Sequence, residues 1–331
     1  MITVCIPAYR AGPFIGETVA SVLAQRFEDF RVEIAIDPPD GRLDDTEAAL
    51  EPFRGDPRVR VSTNPRRLGW SGNFNALLHR VETPFYVPLP HDDLWDPDYL
   101  ATLFPLVSDH PEASVAYGDM TTFGPGNATG FKSVTLPQRE DRMTHLIRFM
   151  MQGAHAMPWR GVTRSSALAV THGFPTDRWS GFAVEAEYAL GLLEAGPVIH
   201  VPQALYRKRV FPLQERVSAS KARTMDWAVA DRMEAWQRHY NALEARMQRM
   251  MLTFNASADE VFLAQVAFVT AMLQRRHAMV TPGLSEAEAA FLEGALPRVT
   301  SSDHPLARNV AQQIGNFTRS SEGHLAPPAG L

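Results

Sequence analysis

Over the first 95 residues, short β-branched and aromatic runs alternate with stretches of helical periodicity. Runs at 4–6, 32–36, 59–62 and 85–89 read as strands, while 14–25 and 71–80 carry apolar residues at helical spacing. Strands alternating with helices predict βαβ units and a parallel sheet. In such a sheet ligands bind beyond the carboxyl ends of the strands. Residues 96–217 are less regular, with strands expected at 114–117 and 198–201 and a helix at 185–194. Gly124-Pro125-Gly126-Asn127 and Pro175-Thr176-Asp177 mark turns. Residues 218–320 are helical throughout. There Met225, Ala228, Met233, Trp236, Tyr240, Leu243, Met247, Met250 and Phe254 form a stripe near period 3.6, which reads as core. Further helical segments are expected at 258–278, 284–295 and 304–317, and 320–331 reads as a polar, disordered tail.

These patterns divide the chain into a regular α/β region at 1–95, a less regular region at 96–217, a helical region at 218–320 and a tail at 321–331. The apolar segment 261–273 is interrupted by Gln265 and Thr270 and is too short to span a bilayer, so a buried helix is expected there. No secretory signal precedes the first strand, and one cysteine, Cys5, excludes a disulfide framework. A cytoplasmic location is expected, or a peripheral one at the inner membrane face. The net charge of −5, without a basic tract, argues against nucleic-acid binding. All but Lys132, Lys208 and Lys221 of the basic residues are arginine. Genomic base composition explains that, unless some of the arginines grip phosphate bidentately.

Four strand ends carry chemistry. The first runs through Pro7-Ala8-Tyr9-Arg10, which can floor a base or ribose. The second ends at Asp37, whose carboxylate can accept an imide proton or a ribose hydroxyl. Asp40, Asp44 and Asp45 beyond it read as turn or cap residues. The third is followed by Asn64-Pro65-Arg66-Arg67-Leu68-Gly69, then Asn73 and Asn75: a glycine-bearing loop opening a helix, whose amides and positive dipole end suit phosphate. The fourth runs into Pro90-His91-Asp92-Asp93. Adjacent carboxylates at a buried strand end repel each other and lose hydration, and a divalent cation relieves both costs; oxygen ligands suit Mg²⁺ or Mn²⁺. The bland alternative is a helix N-terminus capped by Asp93 and Asp96.

In this order the motifs resemble glycosyltransferase family two, with its GT-A fold: Rossmann-like α/β, a mostly parallel central sheet flanked by helices, here with a helical C-terminal region. Pro7-Ala8-Tyr9-Arg10 and Ser21…Gln25 match its first strand and helix, and Asp37 its base-binding aspartate. Asn64 to Gly69 match its Asn-x-x-Gly segment, and Asp92 and Asp93 its metal motif. His172-Gly173-Phe174, Glu185-Ala186-Glu187 and Leu205-Tyr206-Arg207-Lys208-Arg209 follow in family order, so the resemblance covers about residues 2–210. Arg10 stands where asparagine is usual, Pro38 replaces an aspartate, and Pro90 replaces the first metal-motif aspartate. Asp92 is then the main protein ligand, with Asp93 or His91 assisting.

The resemblance implies an inverting transferase that moves a sugar from a nucleotide diphosphate donor to an acceptor hydroxyl, as in polysaccharide biosynthesis. The acceptor is a glycan, a lipid-linked sugar or a small molecule. Glu187 aligns with the catalytic base, with Glu185 second. Pro7, Ala8, Tyr9, Arg10, Asp37, Arg67, Gly69, Asn73 and His91 would hold the donor; Asp92 and Asp93 would hold the metal. His155, Trp159 and Trp179, the last beside Ser180, mix aromatic and polar groups as acceptor walls do. A homodimer through the C-terminal helices is a further expectation. Two alternatives compete. A nucleotidyltransferase needs a glycine- and lysine-rich loop after strand one, which Ala11-Gly12-Pro13 does not supply. A non-catalytic nucleotide-sugar or glycan-binding protein on a decayed scaffold is supported by Pro90.

Overall fold

A computed structural model describes residues 1–39, 45–125, 130–132, 140–179, 181–211 and 227–322. Asp40, Asp44, Gly126, Asn127, Ser180, Met225 and the tail from residue 323 onward lie outside the described residues. The chain forms two compact units, each assembled from separated stretches: residues 1–135, 156–180 and 191–217, and residues 136–155, 181–190 and 218–331.

The first unit holds a nine-stranded sheet, counted among the described residues. Strands β1 (Ile2–Ala8), β2 (Phe30–Ile36), β3 (Val59–Thr63) and β4 (Phe85–Pro88) run in the order β3-β2-β1-β4 and pair in parallel. All seven residues of β1 are buried, as expected of a central parallel strand covered on both faces. Cys5 lies inside it, and burial pushes its thiol far up, out of the reactive range. The sheet continues through β5 (Leu94–Trp95), β6 (Val115–Phe123), β7 (Phe131–Lys132), β8 (Val162–Arg164) and β9 (Val198–Arg209). There β6 and β9 are parallel, and β8 pairs antiparallel with both β4 and β6. This mixed half lies beyond β4, and β9 carries its polar end back past β5, next to the loop that follows β4.

Helix α1 (Gly12–Leu23) carries Thr18 and Ser21, and Gln25 follows just past its end. Each of the three hooks the segment after β4. Thr18 Oγ1 donates to the His91 carbonyl at 2.7 Å, Ser21 Oγ accepts from Trp95 N at 3.3 Å, and Gln25 clamps Asp96 O and Leu100 N. The loop carrying Asp92 and Asp93 is thereby fixed from outside itself. Between these elements lie α2 (Thr46–Leu50), α3 (Gly69–Leu78) and α4 (Tyr99–Ser108).

The second unit contains α5 (Arg142–Met151) and four long helices at Val229–Thr253, Ala258–Met279, Glu286–Thr300 and Ala307–Glu322. Ser257 and Ser285 begin two of them with reciprocal capping boxes. The expected stripe buries Trp236, Leu243, Met247 and Met250, whereas Ala228 is exposed. The apolar segment 261–273 lies within a buried helix, and no helix among the described residues is long and apolar enough to cross a membrane. The last helix extends through Glu322, so the expected tail begins later than residue 320. A short helix α6 (Leu168–Thr171) belongs to the first unit, and α7 (Val184–Ala195) carries Glu185 and Glu187.

Candidate active site

At the end of β2, Asp37 is 1% exposed and its carboxylate faces protein. Asn64 Nδ2 donates to Oδ1 at 2.9 Å, Gly69 N donates to Oδ2 at 2.8 Å, and Leu68 N donates to both oxygens at 3.1 Å. Two sequence signals, the strand-end aspartate and the phosphate-type loop, are therefore each other's partners. The positive end of α3 is met by a carboxylate, in the place a phosphate was expected to occupy. Gly69 at φ 75° supplies the left-handed backbone that turns its N–H toward Asp37. Asn73, 2% exposed, ties the same corner together: its Oδ1 accepts from Asn64 at 3.0 Å and its Nδ2 donates to Ala35 O at 2.9 Å. Asp37, Gly69 and Asn73 thus build the rim. In this arrangement the polar groups expected to contact the donor are engaged with protein.

What this rim presents is the segment after β1. Pro7 and Ala8 close the buried strand; the Pro7 carbonyl accepts from His91 Nδ1 at 3.1 Å and the Ala8 carbonyl from Asp37 N at 2.8 Å. Tyr9 and Arg10 follow, half-buried, with Arg10 in the left-handed region at φ 49°. Arg67 lies over the Tyr9 ring at 4.1 Å and Arg10 at 5.3 Å. An aromatic face and two guanidinium groups converge here, with His91 held beside Pro7.

After β4 the two aspartates part. Asp93 is 2% exposed; Tyr206 Oη donates to its Oδ2 at 2.7 Å and Arg209 N to its Oδ1 at 2.9 Å. Burial, and then the Asp92 charge, push the Asp93 carboxyl up to about 6, against the pull of Arg160, Lys208 and the Tyr206 hydroxyl. Both of its oxygens are engaged with β9. Arg209 spans the loop, donating from Nε to Asp92 O at 3.0 Å and pairing with Glu17. The half-buried Asp92 side chain accepts no hydrogen bond from the described residues. No group of three His, Cys, Asp or Glu side chains among the described residues could cage a metal. Asp92 would be the carboxylate to hold a hard cation here, most of whose oxygen ligands would have to come from elsewhere. Asp96 and Asp98 do only local work: Asp96 accepts from Asp98 N, and Asp98 pairs with Arg26.

Of the expected acceptor wall, Trp159 is 1% exposed and belongs to an edge-packed cluster with Trp70, Phe74 and Phe174. It is core, so it is not a sugar-stacking face. Trp179 is 9% exposed beneath Arg178, at 4.3 Å. His155, in the second unit, is buried against Phe149. The cluster is locked by Asn75, whose amide clamps Phe174 through its N–H and carbonyl at 2.8 and 2.7 Å. A Cβ on Gly173, at φ 79°, would lie 2.5 Å from Asn75 Oδ1. Gly173→Ala is expected to destabilise by about 1–3 kcal/mol, read as a Tm several degrees lower; an unchanged Tm would contradict this packing.

In the second unit Glu187 is 7% exposed. Its Oε1 accepts from Arg238 and from His239 Nδ1, the latter at 2.7 Å. Glu185 is half-buried, close enough to Arg275 to act on its charge. Tyr206 and Arg209 enter the sequence reading only within a family motif, without their bonds to Asp93 and Asp92, and His239 and Arg275 do not enter it. The signal for His239 was a polar residue at buried helical spacing, three residues after Trp236 and four before Leu243.

Residues 3–165 match the family model Glycosyl transferase family 2, and the α/β fold is GT-A. An uncharacterized protein, y4gI, of Sinorhizobium fredii is 32% identical over 124 residues, and an uncharacterized glycosyltransferase of Haemophilus influenzae is 26% identical over 120. The aligned stretches are 36% and 35% of this chain, and they span only 13% and 36% of those relatives. Among solved structures, S. aureus TarS superposes with a TM-score of 0.60 at 17% identity, covering 97% of this chain and 54% of TarS. Its 1–349 fragment in complex with UDP-GlcNAc gives 0.60 at 16% identity, covering 97% and 90%.

Proposed function

With residues 3–165 a glycosyl transferase family 2 segment, we propose that this chain transfers a sugar from a nucleotide diphosphate donor to an acceptor hydroxyl, with inversion. The observation that carries the reading is the contrast after β4: Asp93 is fastened to Tyr206 and Arg209, while Asp92 beside it keeps an uncommitted carboxylate among the described residues. A carboxylate held at a strand end by its neighbour suits a cation shared with a diphosphate. Tyr9, Arg10, Arg67 and His91 are the donor contacts, through ring stacking and charge on phosphate. UDP-GlcNAc in the TarS fragment makes uridine the first base to try.

In the reaction the acceptor oxygen attacks the anomeric carbon while the bond to the diphosphate breaks, its electron pair leaving with the diphosphate. Glu187 takes the hydroxyl proton. A bound Mg²⁺ or Mn²⁺ supplies Lewis-acid neutralisation of the leaving group. The acceptor is a glycan, a lipid-linked sugar or a small molecule, at a cytoplasmic or peripheral location.

Thermal shift with UDP, GDP, ADP and dTDP, each with and without Mn²⁺, tests the donor half. One nucleotide is expected to raise Tm by several degrees at about 100 times its Kd. Asp92→Ala should abolish the Mn²⁺-dependent part without lowering the ligand-free Tm. No shift with any nucleotide would sink the reading. A shift without turnover of the matching sugar donor would favour the second reading, a nucleotide-sugar-binding protein, which the proline at position 90 supports.

A further inference from the structure

Glu187 does not stand alone. His239 is fully buried on the helix Val229–Thr253, with Phe182 edge-on to its ring. Its Nδ1 lies 2.7 Å from Glu187 Oε1, and its Nε2 lies 2.7 Å from Arg275 Nη1. A carboxylate only accepts and a guanidinium only donates. Nδ1 therefore carries the proton and Nε2 the lone pair, which makes His239 neutral. Burial acts in the same direction, pushing its basicity down.

Arg275 is 5% exposed and completes the chain, donating from Nη2 to the carbonyls of Gly153 at 2.7 Å and Ala154 at 3.2 Å. The charged groups acting on the imidazole are Glu187 from α7, Arg238 from its own helix and Arg275 from Ala258–Met279. With Glu185, which acts on Arg275, the formal charges sum to zero. Two backbone positions beside this chain are strained: Ala154 at φ 49° and Ala183 at φ 52°, both non-glycine residues in the left-handed region. Ala183 precedes the first turn of α7, which carries Glu185 and Glu187. Strain beside a buried, charge-balanced network is characteristic of sites where geometry is held for chemistry.

One asymmetry decides what the network does. Both hydrogen bonds to Glu187 end on Oε1, and none to Oε2 comes from the described residues. We propose that His239 is a positioning residue for Glu187: backed by Arg275, it anchors Oε1 and aims Oε2 as the atom that receives the acceptor's proton. The inference rests on Glu187 being the base. Its physical content is that a base with one oxygen pinned loses less rotamer freedom in the transition state and keeps its second oxygen for the proton.

Two substitutions separate positioning from packing. In His239→Asn the shorter amide places an N–H near the Nδ1 position and retains the bond to Glu187. In His239→Gln the longer amide places its carbonyl near the Nε2 position, retains Arg275 and gives up the bond to Glu187. The assay is nucleoside diphosphate release by the full chain from UDP-GlcNAc, or from whichever UDP-, GDP-, ADP- or dTDP-sugar the wild type hydrolyses fastest. His239→Gln is expected to lower kcat about 10- to 100-fold with the donor KM within about threefold. His239→Asn is expected to stay within about fivefold of wild type.

Equal loss in both variants, or a wild-type kcat in His239→Gln, overturns the proposal. If either variant lacks a cooperative melt, Arg275→Lys takes its place; a lower Tm with unchanged kcat there would make the network purely structural and overturn the proposal too. Glu187→Gln separates the two levels. If it turns over like wild type, the base reading falls and this inference with it. If it is inactive while His239→Gln behaves as wild type, only the positioning role falls. Absence of release by wild type from every donor sinks both.

Discussion

Replacing Glu187 with glutamine should lower kcat by about 10²- to 10⁴-fold and leave nucleotide affinity within a few-fold of wild type. The reason lies in what the amide cannot do. Glutamine can still accept from His239 and Arg238 through its carbonyl, so the anchored oxygen survives. The second oxygen becomes an NH₂, which has no lone pair available for a proton. Because Arg238 and Arg275 lose a counter-charge, a moderate fall in Tm is expected as well. The measurement is single-turnover donor consumption alongside nucleotide titration by thermal shift. Loss of nucleotide binding in step with kcat would mean that the substitution unfolds the protein. Wild-type turnover would remove Glu187 from the mechanism and pass the role to Glu185, which the opposite variant, Glu185→Gln, would then expose.

The second large effect is on stability, at Asp37. Removing its carboxylate leaves one Asn64 amide N–H, the other being held by Asn73, and the Leu68 and Gly69 N–H groups without their acceptor in a corner where Asp37 is 1% exposed. Each unpaired buried donor costs about 1–3 kcal/mol, and the favourable charge at the start of α3 is lost with it. Asp37→Ala is therefore expected to destabilise the ligand-free protein by about 3–5 kcal/mol, as these terms are not additive. Urea denaturation without nucleotide reads this directly. The same experiment decides between two roles for one residue. A large loss without nucleotide identifies Asp37 as the builder of the rim. Unchanged stability with abolished nucleotide binding would return it to direct contact with the base.

Both predictions depend on features of very different visibility in the chain. The strands and helices were legible because their signals are local: the apolar run of β1 and the stripe from Trp236 to Met250 each declare themselves within fifteen residues. The order of family motifs was legible for the same reason, since each motif is a short word at a strand end, and the fold follows from that order.

Which polar groups were already taken was not legible. Asp37 meets Leu68 and Gly69 across 31 and 32 residues, Asp93 meets Tyr206 across 113, and Glu187 meets His239 across 52. A hydrogen bond is decided by a few tenths of an ångström between groups brought together from distant stretches, and no periodicity encodes that distance. Trp159 looked like a sugar wall because an indole reads the same whether it faces solvent or packs edge-on against Trp70 and Phe174. By itself the sequence determined the fold class, the order of the family motifs and the polar residues at the strand ends, because hydrophobic period and turn residues are local physics. Only the tertiary structure decided which carboxylates meet distant partners, Asp37 and Asp93 through both oxygens and Glu187 through Oε1, because that allocation depends on long-range packing and desolvation.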